Sequence, residues 1–103
     1  MADQSTAIDI TKEFISECLH SGIKINEAHL FGSFAKSNQN KNSDIDLALV
    51  SDSFTLNFLE NNHYTALLNF KYPDLEIHHF NTHVFKKDDP FINEIKSTGI
   101  KVY

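Results

Sequence analysis

The chain has 103 residues, the usual size of one domain, because folding at this length hides roughly two-thirds of the unfolded surface and supports one core. Its net charge is -5 and every positive side chain is a lysine, which argues against non-specific binding of duplex nucleic acid. No apolar run could cross a bilayer, no secretory signal opens the chain and Cys18 has no second cysteine, so we expect a cytoplasmic protein without membrane association.

The first part of the chain predicts a helix and then a strand. Apolar residues recur at helical spacing over residues 8–19, and Gly22 lies where a helix C-cap would be. Residues 28–31 form a short apolar run ending at Gly32, as expected for a strand. Residues 37–43 are polar throughout and predict a loop.

The second part predicts two helices between strands. A strand is expected over residues 44–50, and a helix over 53–70 that Pro73 closes. The apolar stripe of this helix comprises Leu56, Leu59, Leu67 and Phe70, with Tyr64 and Leu68 alongside.

The last part predicts a strand over residues 75–80 and a helix that Asp89 caps and that ends near Gly99. A final strand is expected over residues 100–103. Strands separated by helices indicate a single α/β or α+β sandwich with the sheet covered on one face.

Two aspartates at positions i and i+2 make the most informative pattern. On a strand, Asp44 and Asp46 share one face while Ile45 and Leu47 pack into the other. Two adjacent carboxylates repel each other, and a pair of Mg²⁺ ions about 4 Å apart would compensate them and clamp a phosphoryl displacement. The alternative is a solvent-facing strand without chemistry.

A glycine and a serine precede these aspartates. Gly32 leaves the end of its strand without a side chain, so a phosphate could approach the backbone, and amides opening a short helix at residues 33–36 would face it. Ser33 adds a hydroxyl donor. Lys36 could contact a phosphate as a point charge or simply be solvated.

Gly32-Ser33 followed about a dozen residues later by Asp44-Ile45-Asp46 resembles the pattern of minimal nucleotidyltransferase domains of the DNA polymerase β-like superfamily, MNT antitoxins among them. The resemblance implies one such domain over residues 1–103, with an α+β fold and a mixed sheet of about four strands. It implies transfer of a nucleoside monophosphate, AMP from ATP, to an acceptor hydroxyl by a two-metal mechanism using Mg²⁺ or Mn²⁺.

The resemblance also implies the site residues. Asp44, Asp46 and a third carboxylate would be catalytic and hold the metal ions, and the nucleotide-binding residues would be Gly32, Ser33, Lys36 and Ser43. Glu76 is the first choice for the third carboxylate and Asp74 the alternative, since both would share a strand face with His78. Phe34 and Ser37 depart from the family's pattern.

The resemblance also suggests a partner, and the residues leave two alternative functions open. The resemblance implies a small helical HEPN-type partner that could supply the acceptor. The rival function is a non-catalytic domain of this fold that binds a partner or serves as an antitoxin subunit. A histidine metal site at His78, His79 and His83 is the third alternative, although the first two point to opposite faces of a strand. Cys18 is expected in the core, without chemistry.

Overall fold

The computed structural model describes residues 3–36 and 44–103 and contains four helices and four strands. The predicted loop over residues 37–43, and Ser43 with it, lies outside the described part. The helices are α1 (Gln4–His20), α2 (Phe58–Phe70), α3 (Thr82–Phe85) and α4 (Pro90–Thr98). The strands are β1 (Glu27–Phe31), β2 (Ile45–Ser51), β3 (Leu75–Asn81) and β4 (Ile100–Lys101).

Helix α1 begins and ends with local signals. The Asp3 side chain accepts a hydrogen bond of 2.8 Å from the Thr6 amide and so caps the helix. At the other end, Gly22 has a φ of 86°, a left-handed conformation that glycine adopts without a Cβ penalty. The predicted helix and its terminating glycine are therefore confirmed, although α1 starts four residues earlier than the apolar periodicity indicated.

The four strands form one mixed sheet in the order β3-β2-β1-β4. Strand β1 pairs antiparallel with β2 and β4, and β2 pairs parallel with β3. Helix α2 makes the crossover between the two parallel strands, as a parallel connection requires. The α+β class and the mixed four-stranded sheet are thus confirmed.

The sheet separates two apolar clusters. The larger lies between the sheet and helices α1 and α2 and includes Phe14, Cys18 and Leu47, all 0% exposed. The smaller lies on the opposite face, where Val50 meets Phe85 of α3 and helix α4. The expectation of helices on one face therefore describes α1 and α2, whereas α3 and α4 cover the other face because the apolar side chains of β2 alternate between both.

Helix α2 differs from its prediction in start and orientation. It begins at Phe58, five residues later than expected, because Asn57 caps it with a hydrogen bond from the Glu60 amide. The predicted apolar stripe is exposed, with relative exposures of 77% to 89% for Leu56, Leu59, Leu67 and Phe70. The stripe therefore faces away from the core.

The inward face of α2 is largely polar, and its polar groups are hydrogen-bonded. Asn61 is 3% exposed and makes two hydrogen bonds with the backbone of Thr55, of 2.7 and 2.6 Å. Thr65 is 0% exposed and its Oγ1 lies 2.8 Å from Nε2 of His79. Buried polar groups with such partners avoid most of the desolvation cost, which lets the helix pack with its leucines outward.

The C-terminal part agrees with its prediction. Asp89 caps α4 by accepting a hydrogen bond of 3.0 Å from the Ile92 amide, and Pro90 stands in the first turn. Strand β4 is shorter than predicted, at two residues. Across the described residues, no helix combines the length and apolar character that crossing a membrane requires.

Candidate active site

Asp46 occupies the centre of the candidate site because of its place on the inner strand β2. Its neighbours Ile45 and Leu47 point into the larger apolar cluster, so alternation directs the Asp46 side chain to the opposite face. It pairs in register with Phe31 of β1 and with Glu76 of β3. Its carboxylate is 24% exposed, while the next residues of β2 are fully buried. The strand thus presents one carboxylate at the edge of its apolar face.

Asp46, Glu76 and His78 form a compact group of ligand-bearing side chains. One ligand atom from each lies within 4.8 Å of the others. Nε2 of His78 lies 3.4 Å from an Asp46 oxygen and 3.9 Å from a Glu76 oxygen. The imidazole packs in a T-shaped arrangement with the Phe31 ring, with a centroid separation of 4.9 Å.

The donor set of this group fits a hard divalent cation. Two carboxylates on adjacent parallel strands offer oxygen ligands, which Mg²⁺ and Mn²⁺ prefer, and opposite ligands of such an ion stand roughly 4.2 Å apart. The Glu76 side chain is 56% exposed and can adjust its position by rotation. The residues therefore fit a metal site, with His78 as a further donor.

Gly32 and Asp46 are in direct contact, which explains the glycine. Gly32 has a φ of 76°, and a Cβ built on it would lie 2.4 Å from Oδ2 of Asp46. The site needs glycine for the left-handed backbone and for room beside the carboxylate. The sequence pattern placed Gly32 near a phosphate, and the structure places it against the metal-ligand candidate itself.

The turn after Gly32 is held from two sides. It spans residues 32–36 as a turn rather than the expected short helix, closed by a hydrogen bond of 3.2 Å from the Lys36 amide to the Gly32 carbonyl. Phe34, which departs from the family's pattern, is 3% exposed and anchors the turn in the larger cluster. The side-chain amide of Gln4 donates hydrogen bonds to the carbonyls of Phe34 and Ala35, at 3.0 and 3.1 Å. Ser33 remains half-buried on the turn.

Asp44 and Asp74 lie outside the group around Asp46. Asp44 precedes β2 and is exposed, and with Glu76 it lines an open cleft of about 460 Å³. Asp74 lies in the turn before β3, where it borders a different cleft next to Tyr72. The expectation that Asp74 shares a strand face with Glu76 is therefore wrong, because β3 begins only at Leu75.

Lys36 borders a second cleft, between the Gly32 turn and α4. Its ammonium lies 3.2 Å from a carboxylate oxygen of Glu94, and both side chains are largely exposed. The cleft has a volume of about 170 Å³ and reaches Phe91, whose ring is 46% exposed. Phe91 is exposed because the face of α4 that carries it turns outward, whereas Ile92 and Ile95 of the same helix are buried.

The histidines separate as strand alternation predicts. His78 belongs to the acidic group, whereas His79 points into the other layer, against Thr65 and in T-shaped contact with the Phe54 ring. Burial, with a smaller contribution from His78, lowers the pKa of His79 to about 4. His83 is exposed on α3. In the part of the chain that the structure describes, these three histidines do not converge on one metal site.

The chain matches the family model "Polymerase beta, Nucleotidyltransferase" over residues 13–103, and it therefore belongs to the polymerase β nucleotidyltransferase family. The match covers both strands that carry the candidate ligands, together with the Gly32 turn. The family supports nucleotidyltransferase activity in general terms. No curated protein matches the chain.

Solved structures share the fold at low sequence identity. A candidate nucleotidyltransferase from Sulfolobus solfataricus superposes with a TM-score of 0.70 at 17% identity, over 95% of this chain and 80% of that one. A toxin–antitoxin complex with AMP-PNP gives a TM-score of 0.61 at 20% identity, over 89% and 72%. An MNT antitoxin in complex with a tri-AMPylated HEPN toxin from Shewanella oneidensis gives 0.58 at 18% identity, over 93% and 71%.

Sequence reasoning gave His78 as a neighbour of the acidic group or as part of a histidine metal site, and it did not single out Phe91 for the active site. The signal for His78 was its i+2 spacing from Glu76, which puts both on one strand face. Phe91 carried no signal in the sequence, because its place beside the Gly32 turn depends on how α4 packs against β1.

Proposed function

We propose that this chain transfers a nucleoside monophosphate, AMP from ATP, to an acceptor hydroxyl on a partner protein. Asp44, Asp46 and Glu76 would hold two divalent ions, and Gly32, Ser33, Lys36 and Ser43 would contact the nucleotide. The observation that carries the proposal is the convergence of Asp46, Glu76 and His78 beside the Gly32 turn, in a chain of the polymerase β nucleotidyltransferase family. We place this activity in the cytoplasm, where ATP is available.

The choice of metal ligands is supported by the geometry of β2 and β3. Asp46 and Glu76 pair in register, and both carboxylates are at least partly accessible. Asp44 is exposed at the start of β2 and lines the same open cleft as Glu76, so it can approach an ion on that side. When bound, the two ions would stabilise the attacking and the leaving oxygens of an in-line displacement at the α-phosphorus, in which the acceptor oxygen bonds to phosphorus and pyrophosphate leaves.

The residues around the ligands have separate roles in this proposal. The amides of the Gly32–Ser33 turn would orient the triphosphate, and the buried Phe34 keeps that turn in place. Glu76, exposed at the sheet edge, would accept the proton of the attacking hydroxyl. Phe91 offers an exposed aromatic surface at the neighbouring cleft for contact with the base.

The acceptor is proposed by comparison with the structural neighbours. One of them is an antitoxin bound to an AMPylated HEPN toxin, and another contains AMP-PNP. An acceptor hydroxyl on a HEPN-type helical partner is the arrangement that corresponds to the AMPylated toxin of that complex.

The first test is calorimetric titration of ATP into the protein with and without Mg²⁺. The wild type should bind ATP only with the metal, and the double variant Asp44→Ala/Asp46→Ala should bind at least about tenfold more weakly. Asp74→Ala is the matched control, because this carboxylate lies outside the group and its removal should leave binding unchanged. Equal binding by the double variant and the wild type would contradict the proposed site.

The second part of the test separates transfer from binding. The partner protein would be incubated with ATP labelled at the α-phosphate, and label should appear on a hydroxyl side chain of the partner with wild type but not with the double variant. Metal-dependent ATP binding without any adduct would instead favour the rival function, a non-catalytic domain that binds a nucleotide or a partner.

A further inference from the structure

The outer face of α2 carries an apolar stripe that is exposed among the residues described by the structure. We call the α2 stripe the surface formed by Leu59, His63, Leu67 and Phe70, together with Leu56 just before the helix. Its four apolar members are 77% to 89% exposed, which is far beyond the isolated apolar residues of an ordinary surface. The inward face of the same helix carries hydrogen-bonded polar groups, so the orientation of α2 does not follow from its own amphipathicity.

The spacing along the stripe is that of a helix–helix seam. From Leu59 through His63 and Leu67 to Phe70, the steps are four, four and three residues, which keeps these side chains on one face of the helix. Leu56 precedes the helix and its capping residue Asn57. A surface of this kind fits another helix rather than a small ligand or an extended peptide.

The stripe is also close to symmetric about His63. Leucines lie four residues before and after it, at Leu59 and Leu67. A two-fold axis through His63 would therefore place leucine on leucine in an antiparallel pair of helices. This self-complementarity is what an interface between identical chains requires.

Charge and area agree with a second copy. In a protein of net charge -5, Glu60 is the single charged residue within α2, so two copies meet where their mutual repulsion is weakest. The four apolar side chains expose on the order of 400–600 Å². This is a large part of the ~800 Å² that each partner buries in an interface of standard size.

We propose that this chain forms a two-fold symmetric dimer through the α2 stripe, with the two α2 helices antiparallel and crossing at His63. None of the candidate ligands Asp46, Glu76 and His78 belongs to the α2 stripe. The proposal is independent of the nucleotidyltransferase chemistry and can fail or succeed without it.

Sedimentation equilibrium or light scattering over about 1 µM to 1 mM tests the dimer, because an interface of this size without further contacts suits micromolar affinity. The wild type should be dimeric at the upper end, and Leu67→Glu should raise the dissociation constant by at least about thirtyfold. Leu67 is 88% exposed, so this variant should keep the wild-type circular dichroism and, at concentrations where both proteins are monomeric, the wild-type unfolding midpoint. Tyr103→Glu adds the same charge at an exposed position outside α2 and should dimerise like the wild type.

Thiol cross-linking tests the register. A short bis-thiol reagent should link His63→Cys chains, whose cysteines face each other across the axis, but not Leu59→Cys chains, whose cysteines would be about 12 Å apart along the helices. Cys18 will not interfere, because it is 0% exposed and burial raises its pKa to about 12. A monomer throughout the concentration range, a dimer unaffected by Leu67→Glu, or cross-linking of Leu59→Cys in place of His63→Cys would each overturn the proposal.

Discussion

At the scale of single residues, the site depends on how Gly32 and Asp46 fit together. The sequence marked both residues, but as members of two separate motifs. In the structure, the glycine hydrogen atoms face the carboxylate because Phe31 and Asp46 pair across β1 and β2. A side chain at position 32 would therefore act on the candidate metal site as well as on the backbone.

The variant Gly32→Ala is expected to be destabilised by at least about 2 kcal/mol, because alanine is strained at positive φ and its Cβ would overlap the Asp46 carboxylate. Urea unfolding would measure the loss. Titration with Mn²⁺ should also show weaker binding, since the carboxylate must move.

Gly22→Ala is the matched control for this prediction. Gly22 has a similar φ of 86°, but a Cβ built on it would meet no atom within 4 Å. Its replacement should cost only about 1 kcal/mol and leave metal binding unchanged. Equal losses in the two variants would show that the contact with Asp46 contributes nothing.

At the scale of secondary-structure elements, α2 is where sequence reasoning failed most clearly. Periodicity identifies an apolar stripe but does not say whether the stripe meets this chain's core or another surface. Here Asn61 and Thr65 are buried because Thr55 and His79 satisfy them, and these partners come from a loop and from β3. Such pairings are tertiary and leave no signal in the spacing of α2.

The contact between α2 and β3 predicts a pH dependence of stability. The pKa of His79 is lowered to about 4 by burial, and it is about 6.5 in the unfolded chain. Between these values the unfolded chain binds more protons, so His79 makes stability fall as the pH drops from about 6.5 towards 4 and has no effect above that window. With allowance for its partial exposure, we expect up to about 2 kcal/mol.

Urea unfolding at a series of pH values would measure this contribution as the difference between wild type and His79→Gln, which does not titrate. His83→Gln, at an exposed histidine, should keep the wild-type profile. If His79→Gln retains the full decline in stability below pH 6.5, other groups cause it.

At the scale of the whole molecule, the candidate site depends on parts of the chain that are distant in sequence. The Gly32 turn is held by Gln4 at the start of α1 and by Phe34 in the core, and Asp46 meets Glu76 and His78 through the parallel pairing of β2 and β3. The first helix therefore helps to hold the turn in place.

Gln4→Ala removes two hydrogen bonds that link α1 to the turn and should loosen residues 33–36 with little loss of global stability, because the side chain is only half-buried. Amide hydrogen exchange should be faster in the turn, and ATP binding should weaken by roughly threefold to tenfold if the turn contacts the triphosphate.

Ser5→Ala, at an exposed position in the same helical turn, should alter neither property. Unchanged exchange of the turn amides in the Gln4→Ala variant would show that Phe34 alone holds the turn.

By itself, the sequence determined the α+β class, most of the helices and strands, and the two motifs that identify the family. These features rest on local chemistry: caps at Asp3 and Asp89, glycines at Gly22 and Gly32, and side-chain alternation along β2.

Only the tertiary structure decided which carboxylates come together, that His78 joins them, and that the leucines of α2 face outward. The physical reason is that strand register and helix orientation follow from contacts between distant residues, such as Asp46 with Glu76 and Thr65 with His79. Their energies depend on packing and desolvation across the whole domain, and no short stretch of sequence contains them.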